Sequence, residues 1–275
     1  MTLTTRRILF YCAIVIFIGV SYVVLIYAQG YKYSFNEQQF IRTGALYLKI
    51  NTSASILVNN KPVASTSLLG NSASVGGLLP ATYTVNVQKE GWSVWHKKIT
   101  ITAGFVEDFS HIMILPQIGQ DKENVRQEIH DLLYPVVASS SISPSPSPTS
   151  KKIKSTPTPS LTPDKTKPYY MDNGSLYVNT TDGSAVRIAG NVTAVPSDDG
   201  QKLAWFSDNQ LWVYWFTDTN YQPVHYAGDV ALVAHFTYPI KTIRWFRDSD
   251  HIALDASGFK IIEIDTRPGL NIINF

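Results

Sequence analysis

The chain has 275 residues and a net charge of +2, and its single cysteine, Cys12, lies near the N-terminus, so the remainder can form no disulfide and carries no thiolate nucleophile or Cys-based metal site. Charge is unevenly placed: from Pro168 onward seven Lys/Arg stand against twelve Asp/Glu, leaving −5 there and +7 in the first part. That balance argues against nucleic acid as a partner of the C-terminal part, since phosphate binding needs clustered positive charge.

Ile8 to Tyr27 is an uncharged, mostly apolar run of twenty residues. As a helix it would be about 30 Å long, the hydrocarbon thickness of a bilayer. A transmembrane helix is expected over 8–28, with the lipid bilayer as its partner. A cleaved signal peptide is the competing reading, but its apolar stretch is usually about 7–15 residues, and Ile26 sits where cleavage after Ala28 requires a small residue. Arg6 and Arg7 precede the run while Lys32, Arg42 and Lys49 follow it, so flanking charge alone does not fix the orientation. The Ser/Thr/Pro-rich tether and all-β segments downstream suit an extracytoplasmic location. The expectation is a single-pass cell-membrane protein with residues 1–7 in the cytoplasm and the bulk outside.

Over 43–115 short alternating stretches dominate: Leu46, Leu48 and Ile50; Ile56 and Val58; Tyr83, Val85 and Val87; Ile99 and Ile101. Period-two alternation places them on one face of strands, and Asn59-Asn60, Gly76-Gly77, Pro80 and Glu90-Gly91 supply turns between. A small antiparallel β-module follows. Its residues resemble a PEGA domain in Gly44–Ile50, in Ile56–Pro62 and above all in the Leu-Pro-x-x-Tyr-x-Val-x-Val-x-Lys-x-Gly-aromatic frame of Leu79–Trp92, continued by Trp95 and the strand over 97–102. The naming Pro-Glu-Gly-Ala tetrapeptide is absent, with Ser53-Ala54-Ser55 near its place. The resemblance implies a sandwich-like envelope module without catalytic residues. Trp92 and Trp95 have two readings, as core or lid residues and as a pair of rings that stack on a sugar.

The stretch 117–134 carries Val125, Ile129, Leu132 and Leu133 at helical spacing, with Asp121 able to cap its start. An amphipathic helix is expected. Residues 138–167 hold nine Ser, five Thr, six Pro and five Lys. Such a segment cannot bury enough apolar surface to offset its ordering, and reads as a disordered linker or stalk.

Residues 169–275 repeat. Ser197–Phe206, followed by Gln210–Tyr214, aligns with Arg247–Leu254, followed by Phe259–Ile264, at a spacing of 50 from Asp198 to Asp248, and Met171–Val178 fits an earlier unit. These units resemble TolB-like β-propeller repeats, with Asp198 and Arg247 at the consensus proline position. The resemblance implies Trp205, Trp212, Trp215 and Trp245 filling wedges between blades. About 105 residues supply only two to two and a half blades where closure takes about four to eight, so either the propeller is incomplete and the sequence a fragment, or the repeats form a small open β-sheet stack whose free edge pairs with a partner.

Chemistry-bearing patterns are missing. The six histidines show no HExxH or helical metal spacing, and there is no nucleophile elbow, P-loop or dinucleotide fingerprint. Asp198, Asp199, Asp248 and Asp250 fit calcium ligation or turn formation. The fold class read here is mainly β: one transmembrane helix, a small antiparallel sandwich-like PEGA module and partial propeller-like repeats. The function expected is a membrane-anchored binding or scaffolding protein that meets a glycan, cell-wall polymer or protein, without catalytic residues, cofactor or metal. The alternative is a sensor or hydrolase accessory whose active part lies beyond this sequence.

Overall fold

The computed structural model describes residues 3–35, 37–67, 70–135, 167–180 and 183–275. The chain divides into two units, the first comprising Met1–Ile118, Asn220–Pro223 and Arg267–Asn271, the second Gly119–Thr219, Val224–Thr266 and Ile272–Phe275. The stalk read over 138–167 lies, apart from Lys167, outside the described residues.

The first unit begins with helix α1, Leu3–Ala28, which starts five residues before the apolar run and has no buried residue. Among the described residues it is the one helix long and apolar enough to cross a membrane. It leads into a hairpin the sequence did not predict, β1 (Tyr31–Ser34) with β2 (Gln39–Arg42). Seven strands follow: β3 (Gly44–Ile50), β4 (Ser55–Val58), β5 (Lys61–Ser65), β6 (Ser72–Leu78), β7 (Ala81–Gln88), β8 (Trp95–Ile101) and β9 (Val106–Ile112). They form two sheets, ordered β6-β3-β9 and β5-β4-β7-β8.

Alternation does what the sequence implies. Leu46, Leu48 and Ile50 of β3, Ile56 and Val58 of β4, Val85 and Val87 of β7, and Ile99 and Ile101 of β8 share one core. Asn59 and Asn60 both take left-handed backbone angles, the requirement of a tight hairpin turn between β4 and β5. One expectation is corrected: the module is not wholly antiparallel, because β3 and β9 pair in parallel. Between them the chain runs through the whole of the other sheet, which supplies the long crossover a parallel pair requires.

Two returning segments complete this unit. Strands β8 and β9 each end a sheet and would present unpaired backbone groups. The amides of His96 and Lys98 donate to Asn271 Oδ1 at 3.0 Å and to the Pro268 carbonyl at 3.1 Å. The Asp108 amide donates to Gln222 Oε1 at 2.9 Å, and Gln222 Nε2 donates to the Val106 carbonyl.

The second unit starts with α2, Gly119–Leu133, which buries Val125, Ile129 and Leu133. Asp121 therefore sits in its first turn, where a carboxylate favours the helix dipole, and not at the cap. Among the described residues eleven strands follow: β10 (Tyr169–Asp172), β11 (Ser175–Asn179), β12 (Ala185–Gly190), β13 (Thr193–Pro196), β14 (Lys202–Ser207), β15 (Gln210–Trp215), β16 (Val230–His235), β17 (Thr242–Trp245), β18 (His251–Asp255), β19 (Phe259–Glu263) and β20 (Ile272–Asn274). They make three antiparallel meanders, β10–β12, β13–β16 and β17–β20, each in chain order. Leu176, Val192, Leu203 and Trp205 pack the first meander against the second. A larger cluster including Leu211, Val213, Trp215, Ile243, Leu254 and Ile262 packs the second against the third.

The repeat is real in hydrogen bonds, with its register shifted by one from the sequence alignment. The Ser197 amide donates to the Lys202 carbonyl as the Phe246 amide does to that of His251, and the Gln201 amide donates to Asp199 as the Asp250 amide does to Asp248. Asp199, not Asp198, thus matches Asp248.

Candidate ligand cleft

The second meander has two covered faces. Strand alternation sends Leu211, Val213 and Trp215 of β15 toward the third meander, and Gln210, Trp212 and Tyr214 toward the first. On the second of these faces Trp205 of β14 lies directly opposite Trp212, their rings stacked with centroids 6.3 Å apart and planes within 8°.

Among the described residues the first meander has three strands and faces a meander of four. Its shortfall falls at β16, where Val230 and Leu232 remain exposed. Trp212, whose cross-strand neighbour is Leu232, stays half-buried while Trp205, Trp215 and Trp245 are buried. The four tryptophans expected to fill wedges therefore divide three to one.

At this step lies a cleft of about 250 Å³. Ile188 and Val192 form one wall, Trp205 and Trp212 the aromatic wall, and Ser207 and Gln210 the polar rim. Ile188 reaches it from a bulge in the β11–β12 pairing, where the register shifts between Leu176 and Tyr177. A second bulge, in the β15–β16 pairing, falls between Leu211 and Trp212. Bulges of this kind re-aim side chains at the rim of a sheet. Gln210 Oε1 accepts the Trp212 indole N–H at 3.3 Å, which orients the ring. Among the described residues no charged side chain lines the cleft, and the Arg187 guanidinium lies against Gly190, one of its lining residues.

The two tryptophans singled out in the sequence are placed differently. Trp95 is 2% exposed and packs edge-to-face on Phe109 in the first unit's core, so neither face of its ring is open to a ligand. Trp92 is half-buried against the same core, and Lys89 Nζ sits 4.0 Å from its ring centroid while donating to Thr52 Oγ1. The pair does not make a joint platform. Trp212 gave no sequence signal that set it apart from its neighbours.

The chain matches no family model, no curated protein and no solved structure.

Asp199 and Asp248 bond within their own repeat turns, and Asp250 pairs with Lys202. Asp199 accepts the Ser197 hydroxyl and the Gln201 amide, and Asp248 accepts the Asp250 amide and faces His251 Nδ1 at 2.9 Å. Among the described residues no three His, Cys, Asp or Glu side chains gather as a metal site would need. His225 stacks flat on Trp215, centroids 3.7 Å apart; burial draws its pKa below the ordinary histidine range, against the opposing pull of Asp229.

Proposed function

We propose that the chain is a membrane-anchored extracytoplasmic binding protein whose second unit takes one neutral ring of a glycan in the Trp212 cleft. The observation that carries the reading is the partly exposed Trp212 ring, held by Gln210 and backed by Trp205, at the step where, among the described residues, a three-stranded sheet faces a four-stranded one. A flat aromatic face beside Ser207 and Gln210 suits a sugar ring, which has an apolar face and hydroxyls at its rim. Among the described residues the lining side chains are themselves uncharged, which suits a neutral ring, while the Arg187 guanidinium lies against Gly190 of the lining. Drug-sized pockets span roughly 300–1,000 Å³, so this smaller cleft fits a single ring of a longer chain better than a whole free molecule.

The anchor reading rests on α1, whose length and composition suit a bilayer and whose side chains are nowhere buried against the rest of the protein. The shared core of the two sheets around Leu46 and Val85 supports a sandwich-like, PEGA-like first unit, and the three consecutive meanders support a propeller-like second one.

The test is a titration of the full chain in nanodiscs with neutral oligosaccharides, followed by tryptophan emission. Saturable quenching that is lost in Trp212→Ala and kept in Trp92→Ala supports the reading. Equal responses in both variants, or none in the parent, reject it. Protease shaving of intact cells tests the orientation, and protection of the C-terminal part would contradict it.

A further inference from the structure

We infer that the β1–β2 hairpin lies in the headgroup region of the bilayer that α1 crosses, so that an aromatic surface anchor is joined to the end of the helix; this rests on the membrane-anchor reading above. From Ile8, just after Arg6 and Arg7, to Tyr27 a helix rises about 30 Å, the thickness of the hydrocarbon core. Tyr27 then falls at the far boundary, and the hairpin begins four residues later.

The hairpin is fastened to that boundary. Helix α1 ends at Ala28, and Gly30, at φ +84°, turns the chain. The Gly30 carbonyl accepts both the amide of Thr43, at 2.8 Å, and its hydroxyl, at 2.7 Å, which closes the hairpin back onto the helix end. The Tyr27 ring meets Phe40 edge-on with centroids 6.2 Å apart.

The register aligns Tyr31 with Arg42 and Tyr33 with Phe40, which puts these four side chains on one face. Tyr33 packs against both Phe40 and Phe35 at about 5 Å. Phe35 is 85% exposed and Phe40 39%. A run of rings from Tyr27 through Phe40 and Tyr33 to Phe35 is an unusual thing to leave in water. It is what the membrane interface accepts, because tyrosine and its neighbours pair an apolar body with a wet edge there. The Arg42 guanidinium lies over Gly104 and the Lys32 ammonium over Gly77, so the face offered to the bilayer is carried by the rings and not by the two cations.

The experiment uses the full chain with Cys12→Ser and one new cysteine at a time, Phe17→Cys within α1, or Phe35→Cys or Phe40→Cys in the hairpin, each carrying an environment-sensitive fluorophore. Phosphatidylcholine vesicles contain nitroxide lipids labelled either high or low on the acyl chain. The inference predicts a blue-shifted emission at positions 35 and 40 that shallow nitroxides quench more than deep ones, with position 17 quenched most by deep ones. Quenching at 17 together with water-like, unquenched emission at 35 and 40 overturns the hairpin's placement and leaves the anchor standing. No quenching at 17 overturns the anchor, and this inference with it.

Discussion

Lys202 Nζ lies 3.2 Å from Asp250 Oδ1 and 2.8 Å from the Ser249 carbonyl, joining the first residue of β14 to the turn before β18. The lysine is 2% exposed and the aspartate 8%. Two adjacent meanders of the second unit are thus linked by a buried charge pair as well as by apolar packing.

Removing one member of a buried pair strands the other charge in a medium that cannot solvate it. Lys202→Met should therefore cost about 3–5 kcal/mol, while pairing it with Asp250→Leu should restore most of the loss. Denaturant unfolding of the full chain in detergent, with hydrogen exchange resolving strands β14 and β18, checks this. Equal costs for single and double variants would contradict it.

Stability of the third meander should depend on pH through His251 and Asp248. Burial alone would draw the His251 pKa down, but the hydrogen bond and charge of Asp248 outweigh it and hold it above the ordinary range. Burial would likewise raise Asp248, and the His251 contact with two backbone amides more than reverses that. A raised histidine pKa gives stability that is fully present below about pH 6.5 and fades as pH rises through the folded value. The lowered aspartate pKa gives stability present above about pH 4 and lost as pH falls through the folded value. Melting temperatures across pH should show both flanks, and Asp248→Asn should flatten them.

In the first unit Arg267 stacks its guanidinium 3.7 Å from the Phe109 ring centroid and donates to the Asp108 carbonyl at 2.8 Å, while its own carbonyl accepts from Lys97 Nζ. Lys97 is fully buried. Arg267→Ala should cost about 1–3 kcal/mol through lost hydrogen bonds and stacking. Arg267→Lys should rescue little, since an ammonium lacks the planar fork that stacks and donates at once. Hydrogen exchange in β8 and β9 reports the difference.

Truncating the tryptophans should separate packing from recognition. Trp95→Ala should cost about 3–5 kcal/mol, the range for a large ring removed from a core, and Trp212→Ala less because its ring is only partly buried. Unfolding curves of the two variants give the comparison directly.

These contrasts mark how far the sequence could be read. Strands β3, β4, β7 and β8 were legible because one face is buried and the other wet, so alternation appears residue by residue. The same alternation runs Trp95, Lys97, Ile99, Ile101 on β8, and it could have marked both Trp95 and Lys97 as facing inward. Helix α2 was legible from Val125, Ile129 and Leu133, with its start displaced two residues. The parallel β3–β9 pair was not, because pairing partners so far apart in the chain leave no local pattern. Nor was the return of 220–223 and 267–271 to cover two sheet edges, which depends on backbone groups that every residue carries. The β1–β2 hairpin is too short and too aromatic on its exposed face to show a period. Trp212 differs from Trp205 only by the width of the sheet opposite it, a property of another segment altogether.

The most direct measurement is the binding of a fluorescent neutral oligosaccharide to intact cells that display the full chain, compared with cells carrying Trp212→Ala at equal surface abundance. Saturable binding to the parent and its loss in the variant is the predicted result. Binding to the parent no greater than to cells lacking the chain, or unchanged in the variant, would contradict an outward-facing glycan site at Trp212.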